Sequence, residues 1–206
     1  KDNYLLYSAW EFEAGNGTAT YMLPTKDVLH NTYLGISAIH EWELNFIDRH
    51  LDRVGYGSQQ LKTNKYGELP TYHAKRMASA LDLIKHNVVF FDGKIDIDID
   101  KLITIALLHD LLEDGRWRAE TYIDILKQEN KEWAIDPLLE LTRLESDTYF
   151  DYIEKINNPY ALIVKSLDIN DHLVFGDNIP ESLIKRYKKA EDIINRKIKN
   201  KEKVNG

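Results

Sequence analysis

Apolar residues recur at helical spacing over most of the chain. Between Asp27 and Val54, a repeat near 3.6 runs through Val28, Leu29, Tyr33, Ile36, Ile39, Leu44, Phe46, Ile47 and Leu51, and predicts a helix. The pattern fails from Val54 to Thr71, where Gly55, Gly57, Gly67 and Pro70 predict a loop. A second helix is expected from about Tyr72 to Phe91, closed by the Asp92-Gly93 turn. Ile95, Ile97 and Ile99 then alternate with aspartates. A short strand would give that alternation, but a loop ending in an Asp98 or Asp100 N-cap suits the long apolar helix Leu102–Leu112 better. Gly115 is placed to stop that helix. Further helices are predicted at about Ala119–Asn130, Pro137–Leu144, Ser146–Ile156, Pro159–Leu173 and Pro180–Asn200, three of them opening near a proline.

No repeat, low-complexity tract or Ser/Gly linker divides the chain, so residues 1–206 read as one all-α domain, a helical bundle. Residues 1–26, with Gly15, Gly17 and Pro24, read as an irregular N-terminal extension, and 180–200 as a C-terminal helix. Composition adds exclusions. At 206 residues the chain is long enough to bury a core, and without cysteine it offers no disulfide, thiolate metal site or cysteine nucleophile. That absence fits a reducing, cytoplasmic setting. No apolar run approaches the about 20 residues of a membrane span. The start lacks both a signal-like stretch and an initiator Met, as a trimmed chain would. Asp and Glu (34) outnumber Lys and Arg (27), and the one basic stretch, from Lys185 onward, reads as a solvated helix end. Nucleic acid is therefore not the expected partner. An anionic small molecule would need this acidic excess to be overcome locally.

The chemistry concentrates in Ala106-Leu107-Leu108-His109-Asp110-Leu111-Leu112-Glu113-Asp114-Gly115. On a helix Glu113 lies four residues from His109 and three from Asp110, and Asp114 lies four from Asp110, so all four crowd one wide face. Three carboxylates that close repel unless one takes a proton or a cation sits among them. A divalent ion such as Mn, Fe, Zn or Mg suits imidazole and carboxylate donors. Further ligands must come from elsewhere, and His73 and Asp168 both sit in otherwise apolar helical turns. The plain alternatives are an exposed helix end and satisfied core groups. The leucines flanking His109-Asp110 argue against the first, and the adjacent His-Asp pair against the second.

The order His, His-Asp, Asp on successive helices resembles the HD-domain metallophosphohydrolases. ALLHDLLEDG further resembles the hydrolase domain of RelA/SpoT-type alarmone enzymes, with their His-Asp-x-x-Glu-Asp motif. Val164-Lys165-Ser166-Leu167-Asp168 is similar to that family's Lys-Leu-Ala-Asp segment, and Lys65 to His73 loosely to the approach to its first His. Leu141-Thr142-Arg143 also lies where that family has a similar turn. The likeness spans 65–173, roughly half the chain. It implies one divalent metal ion, Mn²⁺ by likeness with Fe, Co, Mg, Zn and Ni as alternatives, held by His73, His109, Asp110 and Asp168. It implies Glu113 and Asp114 as the residues that orient and deprotonate water. The implied reaction is loss of pyrophosphate from the ribose 3′ position of (p)ppGpp, leaving GDP or GTP.

Lys65, Arg76, Arg116, Lys165 and His172 are the candidates for substrate contact, with Arg118 beside Arg116 as another and Arg143 weaker. The family places Asn where this chain has His172, its basic pair before the first His is imperfect here, and the first 60 residues do not match it. Those departures keep open another HD activity, on a dNTP, a nucleotide monoester or a signalling nucleotide, and a non-catalytic nucleotide sensor. An oligomer is also open. His30, His40, His50 and His86 lack companion acids at metal spacing.

Overall fold

The computed structural model describes residues 4–14, 17–24, 37–51, 69, 71–87, 97–114, 118–175 and 179–204. Lys65, Gly115, Arg116, His30, the 54–68 part of the expected loop and the Asp92-Gly93 turn lie outside them.

The N-terminal expectation is corrected. Strand β1 (Tyr4–Ala14) pairs antiparallel with β2 (Gly17–Pro24), in a register running from Tyr4 opposite Pro24 to Ala14 opposite Gly17 and shifting between Tyr7 and Phe12. The segment is rich in Tyr, Leu, Thr and Trp around a Gly15-Asn16-Gly17 signal, which favours a hairpin over an irregular tail. Pro24, which lacks an N–H, ends the second strand.

From Ser37 onward the described chain is helical. The helices are α1 (Ser37–His50), α2 (Thr71–Asn87), α3 (Ile99–Leu108), α4 (Leu111–Asp114), α5 (Ala119–Gln128), α6 (Ile135–Leu141), α7 (Tyr149–Lys155), α8 (Pro159–Phe175) and α9 (Glu181–Val204). A single 3₁₀ turn, Glu132–Ala134, leads into α6. Helix α3 is the axis of the bundle. Every residue from Leu102 to Leu108 is buried, and α1, α2, α6 and α8 pack around it. Each such Leu or Ile removes apolar surface from water worth about 1.5–3 kcal/mol. Asp98 caps this helix as expected, accepting from the N–H groups of Asp100 (3.0 Å) and Lys101 (3.2 Å).

The expected continuous helix Leu102–Leu112 is interrupted at His109-Asp110, between α3 and α4. The His109 ring donates from Nδ1 to Ala106 O at 2.8 Å, taking a carbonyl that a continuing helix would offer to the Asp110 N–H. The chain re-enters helix with Asp114 N–H donating to Asp110 O at 2.9 Å. Helix α8 starts at Pro159, with Asn158 Oδ1 accepting from the Tyr160 N–H at 2.9 Å. Helix α9 packs over α7 and α8. Helix α5 is closed just beyond its last residue by Asn130, whose φ of 55° brings the Lys131 N–H back to Leu126 O at 2.8 Å.

Candidate metal centre

Three helices converge. His73 is the third residue of α2, His109 and Asp110 follow α3, and Lys165, Asp168, Asp171 and His172 line one face of α8. Among the described residues, two triads could hold a metal ion: His73, His109 and Asp110, and His73, Asp168 and His172. They share His73.

His109 Nε2 lies 3.1 Å from Asp110 Oδ1 and 3.8 Å from Asp168 Oδ1. His73 Nε2 lies 3.0 Å from Asp110 Oδ2, and its Nδ1 lies 3.9 Å from Asp168 Oδ1 and 3.8 Å from Asp171 Oδ2. Lys165 donates to Asp168 Oδ2 at 2.6 Å, and His172 Nε2 lies 3.2 Å from Asp168 Oδ1. Arg76, buried on α2, grips Asp171 with two bonds, Nε to Oδ1 at 3.0 Å and Nη2 to Oδ2 at 2.7 Å.

The donor set passes a simple test for a cation. A carbonyl only accepts, so the His109 Nδ1 facing Ala106 O carries the proton. In the neutral ring Nε2 then holds a lone pair, is buried, and has no hydrogen-bond partner among the described residues. It faces two carboxylates, which also only accept. Burial lowers the pKa of His109 despite those acids, so a proton is a poor remedy. A divalent ion satisfies all three groups, and a ligand histidine donating its other N–H to a backbone carbonyl is the usual arrangement.

The surrounding charges follow the same logic. Burial opposes charge on His73, but its hydrogen bond to Asp110 and the fields of Asp110, Asp168 and Asp171 raise its pKa to about 9. Burial likewise opposes ionisation of Asp168, yet Lys165, His172 and His109 hold it well below the usual carboxylate range. Lys165 is raised well above its ordinary value by that same pairing, against its burial. The cluster is thus ready to bind positive charge.

An aromatic and cationic wall stands beside it. His172 stacks on His73 at 5.2 Å between ring centres and on Tyr187 of α9 at 5.7 Å. Arg186 lies over Tyr149 at 4.6 Å and Lys165 over Tyr152 at 5.5 Å. Burial pushes the Tyr149 phenol up to about 12, and its hydroxyl has no hydrogen-bond partner among the described residues.

Of the residues singled out in the sequence, His73, His109, Asp110, Lys165, Asp168 and His172 meet here. Arg76 reaches the cluster through Asp171. Glu113 sits on the next turn, half-buried, with Oε2 3.4 Å from the Arg143 N–H, and Asp114 is exposed at the end of α4. Neither belongs to the two triads. Sequence reasoning passed over Asp171, although its three-residue spacing from Asp168 puts both on one helix face. It also passed over Tyr149, and it read Arg186 and Tyr187 as part of a solvated helix end, whereas they stand beside the cluster.

A second buried polar group lies on the far part of α3. Thr104 donates to Glu43 Oε1 at 2.9 Å, and Lys131 Nζ lies 2.8 Å from the same oxygen. His40, at a non-helical step inside α1 (φ −112°, ψ 23°), completes it, with Nδ1 4.0 Å from Glu43 Oε2 and Nε2 3.7 Å from Asp100 Oδ1.

No protein-family model matches this chain, and no curated protein matches its sequence. No helix among the described residues is long and apolar enough to cross a membrane.

Proposed function

We propose that the chain is an HD-type, metal-dependent phosphohydrolase acting on a nucleotide, with (p)ppGpp as its leading substrate and one divalent ion, Mn²⁺ by likeness, as its cofactor. The observation that carries the metal reading is the lone pair of His109 Nε2, buried and unpartnered between the carboxylates of Asp110 and Asp168. His73, His109, Asp110 and Asp168 would hold the ion. Bound there, it would supply Lewis acidity toward a phosphoryl oxygen and a more acidic water.

The protein's own groups do the rest. Glu113 is oriented by the Arg143 N–H on the turn after Asp110, where with Asp114 it receives the proton of the attacking water. Water adds across the bond between the ribose 3′ oxygen and its pyrophosphoryl group, so the 3′ hydroxyl is restored and pyrophosphate leaves. Lys165 and Arg186, beside the cluster, offset an acidic surface for an anionic substrate. Arg116 and Lys65 remain candidates for phosphate contact on the strength of the sequence.

A second reading, an HD hydrolase for a different nucleotide, is favoured by one observation. Where the alarmone enzymes have Asn, His172 points its Nε2 at Asp168.

Incubation of the Mn²⁺-loaded protein with ppGpp, dNTPs and nucleoside monophosphates, with products resolved by ion exchange, separates these readings. Pyrophosphate and GDP from ppGpp are expected; orthophosphate alone from ppGpp rules that reaction out, and turnover of another nucleotide selects the second reading. Asp110→Ala should lose both metal and turnover, whereas Glu113→Gln should keep the metal and lose turnover. Undiminished metal in Asp110→Ala would overturn the ligand assignment.

A further inference from the structure

We infer that His172 is itself a ligand of this metal centre, taking the ion together with His73 and Asp168 beyond the four residues of the HD pattern. The inference rests on the metal part of the reading above and is independent of which nucleotide is hydrolysed.

The geometry around Asp168 carries it. Its Oδ2 is taken by Lys165, and its Oδ1 is the meeting point of three imidazole nitrogens, His172 Nε2 at 3.2 Å, His109 Nε2 at 3.8 Å and His73 Nδ1 at 3.9 Å. Donors sharing one ion with bonds of about 2.1 Å stand about 3.0 Å apart when adjacent and about 4.2 Å when opposite. All three separations fall in that interval. Ring positions agree. Two imidazoles on one such ion put their centres about 4.5–5.2 Å apart. His73 and His109 are 4.7 Å apart and His73 and His172 are 5.2 Å apart.

Two further features point the same way. His172 follows Asp168 by one helical turn, and Tyr187 stacks on its ring at 8° interplanar angle, which holds the imidazole plane against rotation. The two triads share His73, and a neutral imidazole gives one lone pair to one ion. With Nε2 3.0 Å from Asp110 Oδ2 and able to donate its proton there, His73 keeps that lone pair on Nδ1, the buried nitrogen that faces Asp168 and has no hydrogen-bond partner among the described residues.

A nitrogen-rich set changes metal choice. Imidazole suits Zn, Fe, Co and Ni, whereas carboxylate and water suit Mg and Mn. This chain should therefore prefer Co²⁺ or Zn²⁺ to Mn²⁺ more strongly than a variant carrying the family's Asn.

Apo-protein titrated with Co²⁺ tests this directly by visible absorption and calorimetry. His172→Asn should weaken Co²⁺ binding at least about tenfold, shift the d–d bands, and narrow the preference for Co²⁺ over Mn²⁺. The side chain is 45% exposed, so the variant should fold; circular dichroism checks it, and His172→Ala gives an independent second variant. Unchanged Co²⁺ affinity and an unchanged spectrum in both variants would overturn the inference and leave His172 a substrate contact, as would failure of the wild-type protein to bind Co²⁺. Altered Co²⁺ binding without hydrolysis of any nucleotide would instead remove the proposed function while His172 stayed a ligand.

Discussion

Helix α3 carries a buried histidine cluster on each of two faces, and the two are built to opposite ends. Around His40, one carboxylate oxygen of Glu43 accepts from both Thr104 and Lys131. That group contains its own cation, and it brings no three ligand atoms of the described residues together. Around His73 and His109, three aspartates meet three imidazoles, and the available cations, Lys165 and Arg76, are spent on Asp168 Oδ2 and on Asp171. The histidines record the difference. His73 is raised to about 9 because three carboxylates outweigh its burial, whereas His40 is lowered because burial outweighs Glu43 and Asp100, with Lys131 adding to the depression. Burial of a histidine therefore does not by itself make a site that could hold a metal ion. The His73 and His109 cluster differs by its excess of acceptors over donors.

The largest effect should come from breaking the clamp beneath the candidate metal cluster. Arg76→Met keeps much of the side-chain volume but leaves Asp171 as a buried carboxylate without its bidentate partner. Removing one partner of such a pair costs about 3–5 kcal/mol. Urea denaturation of the apo-protein should show that loss. Metal should recover part of it, because an added cation near Asp171 offsets the missing guanidinium. A loss below about 1 kcal/mol would mean that the clamp is not a support of the cluster.

The matching cut in the other cluster should be smaller and should leave the metal alone. Glu43→Gln keeps the shape and one acceptor but removes the charge that Lys131 and Thr104 address. A cost of about 1–3 kcal/mol in stability is expected, with metal content unchanged by elemental analysis. Loss of metal in Glu43→Gln would erase the distinction between the two clusters.

What the sequence disclosed follows the reach of each physical signal. The apolar helix from Leu102 onward, the Asp98 cap and the start of α8 at Pro159 are local patterns, and they are visible in spacing alone. The interruption after Leu108 was not, because it depends on the His109 ring choosing the Ala106 carbonyl. His73 and Asp168 could be singled out only as polar residues in apolar helices; their meeting with Asp110 depends on how α2 and α8 pack on α3. The Arg76–Asp171 pair and the Tyr187–His172–His73 stack join residues from different helices, and no spacing rule connects them. The pairing of β1 with β2 was not read from the sequence, where Gly15, Gly17 and Pro24 suggested an irregular extension.

pH gives the smallest of these effects and the cleanest contrast. The folded-state pKa of His40 is depressed, chiefly by burial, against Glu43 and Asp100 on its carboxylate side and with Lys131 opposing its charge. Between its folded and unfolded values the unfolded chain binds more protons, so stability rises with pH there. The contribution is complete above the ordinary histidine value near 6.5 and is lost as the solution is made more acidic. His40→Gln removes that dependence without adding a titrating group. The difference in unfolding free energy between the apo forms of wild type and variant should then change between pH 7.5 and pH 5, with wild type losing more on the acid side. A parallel pair of pH profiles would mean that His40 is solvated or charged in the folded protein. The two clusters would then differ in ligand count but not in their electrostatics.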